Sequence, residues 1–135
     1  MHKVVLAAAW GWLLFIAFAT LAPLHLRPQM TEAETWSTVL IEHVGAFGVL
    51  GFLFAVGYPR RYAFVCLAVF GSAILLEVLQ IFIPDRDARV IDAVEKIAGG
   101  AAGIAGVSWL LPALLPRISS FIVARGKFAP LRQRR

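Results

Sequence analysis

The chain has 135 residues, which is room for one domain. Apolar side chains make up 60% of it, well above the ~45–50% of a soluble domain. The charges are few and bunched, leaving long stretches with no polar face, which excludes a soluble helical fold and points to bilayer as the solvent.

Four apolar segments follow one another. The first covers about residues 4–24 and closes near Pro23 and Pro28. Lys3, the apolar run and Ala17-Phe18-Ala19 resemble a secretory signal with a cleavage site. The run is nevertheless long enough to span and further spans follow, so it is read as an uncleaved first helix. The second covers about 36–57, the third 62–83 up to Pro84, and the fourth about 91–115, between Pro84 and Pro116. Each has the ~20 residues that a ~30 Å hydrocarbon core requires. Proline at the segment ends fits helix boundaries. Barrel strands would alternate over ~10 residues, and these runs do not. The expected fold is all-α: a polytopic membrane protein with four transmembrane helices in a compact bundle over residues 1–116, then a basic cytoplasmic tail over 117–135.

Orientation follows from lysine and arginine. If the helices alternate, Lys3, Arg60, Arg61, Arg117, Arg125, Lys127, Arg132, Arg134 and Arg135 share one side, and Arg27, Arg86, Arg89 and Lys96 the other. Nine against four predicts both termini in the cytoplasm. All eight acids (Glu32, Glu34, Glu42, Glu77, Asp85, Asp87, Asp92 and Glu95) fall on the outer side, leaving it at −4 and the inner side at +9. Polar chemistry therefore belongs to the outer face.

Three helices carry polar groups within their spans at that face. His43 is about two turns into the second helix, ~10 Å below its outer end. Glu77 lies ~9 Å below the outer end of the third, so the imidazole and the carboxylate are expected level with each other. Gln80 sits one turn above Glu77. Asp92, Glu95 and Lys96 open the fourth helix at i, i+3 and i+4 and are expected to share a face. A carboxylate at this depth needs partners, and His43, Lys96, Arg86 and Arg89 are the candidates for Glu77. The loop Pro84-Asp85-Arg86-Asp87-Ala88-Arg89 sets two guanidinium forks before a helix N-terminus, a combination that suits phosphate or carboxylate.

Gly99 and Gly103 form a G-x-x-x-G pair in the fourth helix, a packing stripe and not a phosphate loop. Cys66, the one cysteine, is mid-segment and reads as a small apolar side chain. Trp36 and Trp109 suit the interfacial belts, whereas Trp10 and Trp12 lie deeper than a belt predicts. The basic tail, with Phe121, Ile122, Val123 and Phe128 interleaved, fits a solvated topological anchor or a segment lying on anionic lipid. Nucleic acid is not an expected partner for a charge beside a membrane.

These residues resemble the VanZ-like family of small bacterial membrane proteins. The resemblance covers roughly residues 41–103. It rests on Glu42-His43 with Phe47, Glu77-x-x-Gln80, Pro84-x-Arg86, Asp92 and Gly99-x-x-x-Gly103. The family often has an Asp-Lys pair before the histidine, where Val39-Leu40 stand here. It often has asparagine four residues after the helix-four aspartate, where Lys96 stands here. It is named for a protein that lowers susceptibility to the glycopeptide teicoplanin, so the resemblance implies a cell-envelope role and no particular reaction.

Two functional readings stand side by side. In one, an outward-facing site takes an anionic lipid or lipid-linked head group at the outer leaflet. His43 and Glu77 are then the catalytic acid and base, and Gln80, Arg86, Arg89, Asp92 and Lys96 bind substrate. In the other, the polar cluster is a structural network in a non-catalytic envelope protein. The two predict opposite outcomes for Glu77→Leu: loss of activity before folding in the first, loss of folding in the second. No cofactor is named and no metal is assigned; a set of His43, Glu77 and Asp92 is permissible but unspecific. A transporter would need room for alternating access and internal repeats, which four helices without self-similarity do not offer.

Overall fold

The computed structural model describes residues 2–22, 36–83 and 89–126, with backbone alone at 36 and from 110 onward. Four helices account for nearly all of it: α1 (His2–Leu21), α2 (Trp36–Gly57), α3 (Tyr62–Gln80) and α4 (Val90–Gly126), with no strand among the described residues. The all-α expectation holds. α1 gives out at Ala22, the residue before Pro23, where proline disfavours helical backbone. α2 and α3 are joined by a tight turn in which the Arg61 N–H donates to the Tyr58 carbonyl at 3.2 Å, making the two helices antiparallel neighbours. α3 stops at Gln80, and its last carbonyls are taken up by 3₁₀-type bonds from Ile81, Phe82 and Ile83.

α4 differs from the sequence reading. It has 37 residues and continues through Pro112 and Pro116 to Gly126, well past the expected end at residue 115. Proline does not end a helix when neighbouring groups take up the freed carbonyls, which is common in membrane helices. At about 1.5 Å per residue α4 is ~55 Å long, about 25 Å more than a hydrocarbon core. The segments 23–35 and 84–88, Arg86 with the latter, and the last nine positions of the tail (127–135) lie outside the described residues.

α2 is the centre of the bundle, packed most extensively on α4 and also on α1 and α3. Its Phe47, Leu50 and Phe54 are buried against Ala9 and Ile16 of α1, Val65, Val69, Ala73 and Leu76 of α3, and Val107 of α4. The other faces are apolar and open: Leu67 is 73% exposed, and Leu14, Phe18, Ile41, Ile74 and Leu75 are exposed with it. Such surface is stable only in a solvent as apolar as itself. α1, α2 and α3 are each long and apolar enough to cross a membrane, and the chain is a multi-pass membrane protein.

The deep tryptophans of α1 have non-local partners. The Trp12 indole donates to the Ala46 carbonyl of α2 at 2.9 Å, and the Trp10 indole donates to the Tyr58 hydroxyl at 3.0 Å. Trp10 also meets Phe54 edge-on, and Phe54 stacks on Tyr58. An indole N–H cannot be left unpaired in a bilayer, so partner position and not a belt fixes these two residues. Trp12→Phe is expected to lower stability by about 0.5–1.5 kcal/mol. Thermal unfolding in detergent measures this, and an unchanged midpoint would mean that the bond contributes nothing.

The G-x-x-x-G pair is a backbone contact between α4 and α2. A Cβ on Gly99 would lie 2.7 Å from the Val44 Cα and nearer still to the Val44 carbonyl oxygen. A Cβ on Gly103 would run into the Gly48 carbonyl and lie 2.8 Å from the Phe52 nitrogen. From the opposite side, a Cβ on Gly51 would lie 3.2 Å from the Gly100 Cα. This seam draws the first turns of α4 against α2 and so positions the polar end of the bundle.

Candidate functional site

The N-terminal end of α2, the C-terminal end of α3 and the N-terminal end of α4 meet at one end of the bundle, and the polar residues meet there with them. Glu77 projects from the last turn of α3. It is 7% exposed, and Lys96 of α4, at 1%, is among the most deeply buried side chains described. Lys96 Nζ donates to Glu77 Oε2. The Arg89 backbone N–H, at the entry to α4, donates to Glu77 Oε1 at 3.0 Å. The Gln80 amide nitrogen, turned toward the carboxylate, donates to both oxygens at 3.1 and 3.2 Å. The carboxylate therefore has a cation, an amide and a helix-start N–H, close to the full set that its lone pairs accept. Placing it at the start of α4 also sets its charge against the positive end of the helix dipole.

His43 of α2 does not meet Glu77. Its Nδ1 lies 3.1 Å from Oε2 of Glu95, whose side chain is buried, whereas the imidazole is 23% exposed. Asp92 stands one turn before Glu95 and is half-buried. One ligand-type atom each from His43, Asp92 and Glu95 lies within 4.8 Å of the others. Two carboxylates that close repel by roughly 3–4 kcal/mol at an effective dielectric of about 20.

The shared face expected for Asp92, Glu95 and Lys96 is thus divided. Neighbouring residues on a helix point about 100° apart, so Glu95 faces α2 and Lys96 faces α3. His43 and Glu77 are held at one level through adjacent residues of α4, by two separate pairs. Of the residues singled out from sequence, His43, Glu77, Gln80, Asp92 and Lys96 come together at this end of the bundle. Arg89 is exposed and contributes its backbone N–H to the cluster. Arg86 lies outside the described residues. Glu95 is the site residue that sequence reasoning left out. Its spacing from Asp92 was visible, but the rotation that aims it at His43 was not.

The neighbourhood holds one buried, mutually satisfied ion pair. Beside it is a more open imidazole, oriented at Nδ1 by a carboxylate, whose Nε2 has no partner among the described residues and can accept or deliver a proton or hold a ligand. Lys96 occupies the place of the asparagine that the VanZ-like pattern often carries, and its partner is Glu77.

No curated protein matches the chain. No solved structure matches it. The family model described as VanZ/LLP1 matches residues 1–112, which takes in α1 and most of α4 in addition to the motif-bearing stretch, and the chain belongs to that family.

Proposed function

We propose that the protein binds the anionic head group of a lipid or lipid-linked molecule at the outer leaflet of the bacterial cytoplasmic (inner) membrane, with His43 as its acid–base group. The observation that carries this reading is the His43–Glu95 pair: a partly open imidazole with an orienting carboxylate, at one end of the bundle. Glu95, and not the Glu77 expected as the second acid–base group, is the carboxylate beside His43. Glu77, Gln80 and Lys96 form the floor of the site, while Arg86 and Arg89 at the loop grip the phosphate or carboxylate of the head group. In this reading α4 is a fourth span, its polar N-terminal turns face outward, and both termini lie in the cytoplasm.

Lipid retention tests the binding. In nonionic detergent, native mass spectrometry should find phosphatidylglycerol retained in preference to phosphatidylcholine. Arg86→Ala with Arg89→Ala should weaken retention about tenfold, the loss of one to two charge-assisted bonds. Equal retention of both lipids by the wild-type chain would rule out an anionic site. Removal of residues 127–135 should leave the preference intact, since that segment lies on the opposite side. A preference that disappears with the tail and survives the arginine substitutions would assign it to the tail instead. Orientation has its own check: a reporter fused after Arg135 should read as cytoplasmic, and an extracytoplasmic signal would invert the assignment.

A second reading draws on the Glu77–Lys96 pair. Because the two satisfy each other, the deepest part of the cluster can serve packing alone, in a non-catalytic envelope protein that alters surface properties or glycopeptide susceptibility. Under that reading the two arginines do not discriminate between lipids.

A further inference from the structure

We propose that His43, Asp92 and Glu95 form a binding site for a divalent first-row transition cation, Mn2+ or Zn2+. The inference goes beyond the head-group reading and does not depend on it. Three features carry it. The ligand-type atoms of the three residues lie within 4.8 Å of one another, a little more than the ~4.4 Å that one ion spans with ~2.2 Å bonds, so a small side-chain rotation would close all three on it. They come from two helices fixed against each other by the glycine seam, so the site is built by packing and is not a chance meeting of surface side chains. Among the described residues no lysine or arginine pairs with Asp92 or Glu95. Glu95 is a buried carboxylate whose partner is an imidazole, and the Asp92 carboxylate has no hydrogen-bond or ion-pair partner among the described residues, its backbone N–H alone being bonded, to the Arg89 carbonyl. The adjacent cation, Lys96, is taken by Glu77. Two negative charges at the edge of a low-dielectric medium thus share one imidazole. A cation would relieve their repulsion, and the neutralised Lys96–Glu77 pair would not oppose it.

The donor set selects the class of ion. One nitrogen and two carboxylates are too few oxygens for Ca2+, and an imidazole is an unusual ligand for Mg2+. Three protein ligands leave coordination positions open, as in sites that hold water or a ligand oxygen.

The experiment uses the untagged full chain in nonionic detergent, with MnCl2 followed by electron paramagnetic resonance and ZnCl2 as competitor. The wild-type chain should bind Mn2+ saturably, at one ion per chain, and release it to Zn2+. Glu95→Gln and Asp92→Asn should each weaken binding tenfold or more, while Glu42→Gln, next to His43 but exposed, should not. Where Glu95→Gln fails to fold, Asp92→Asn decides alone, because its half-buried carboxylate has no described partner whose loss would unfold the bundle. Absence of saturable binding, or binding unchanged in Asp92→Asn, would overturn the site. Lipid retention plays no part in this readout, so its failure and that of the head-group reading are told apart.

Discussion

Replacing either member of the Glu77–Lys96 pair alone is expected to destabilise the protein by about 3–5 kcal/mol, enough to remove most folded material. Glu77→Leu strands an ammonium that is 1% exposed. Lys96→Met leaves a buried carboxylate with the Gln80 amide and the Arg89 N–H but without its cation. The double substitution Glu77→Leu with Lys96→Met should recover most of the loss, since it removes the charges and their desolvation together. Detergent unfolding of the two single variants and the double variant completes a cycle in which the pair's coupling is read directly. A double variant as unstable as the sum of the singles would mean that the pair is not the interaction holding α3 to α4. For Glu77 this is the outcome that the structural-network reading gives, and the weight of the functional reading moves to His43.

Gly103→Leu should abolish folded protein in detergent, and Gly103→Ala should already lower its thermal midpoint. A methyl group at this position meets the Gly48 carbonyl and the Phe52 nitrogen, which are backbone and cannot rotate away. α4 would have to move off α2, parting the helices that carry His43 and Glu95. Overpacking that flexible side chains can absorb costs about 1–3 kcal/mol, and a backbone clash along a helix seam exceeds it. Gly106→Ala is the matched control, since a Cβ there meets nothing within 4 Å. Equal stability of Gly103→Ala and Gly106→Ala would refute the close seam.

The parts of this structure that were legible in sequence are those set by local chemistry. The apolar runs, with Pro23 after Ala22, mark α1, α2 and the start of α3 closely. The glycine stripe in α4 reads as packing and is packing. The level depth of His43 and Glu77 followed from depth arithmetic along antiparallel helices, with Gln80 and Asp92 one turn nearer the end and Lys96 a candidate partner for Glu77, whereas the Arg86 expected with them lies outside the described residues. What depended on rotation or on distant partners was not legible. Glu95 and Lys96 differ by one position, and only the azimuth of α4 decides which faces α2. Trp10 and Trp12 look misplaced until Tyr58 and Ala46 are beside them. Pro116 reads as a terminator because a lone proline removes a helix bond, yet α4 runs through it as it does through Pro112.

In the proposed function a lipid head group comes to His43. The most direct measurement is the ¹⁵N chemical shift of the histidine ring nitrogens in nonionic micelles, with His43 assigned by the signal lost in His43→Gln. Titration with phosphatidylglycerol should move the His43 signals, phosphatidylcholine should not, and Arg86→Ala with Arg89→Ala should blunt the response. His43 signals that stay fixed while phosphatidylglycerol is demonstrably bound would place the lipid elsewhere on the protein and contradict the proposed site.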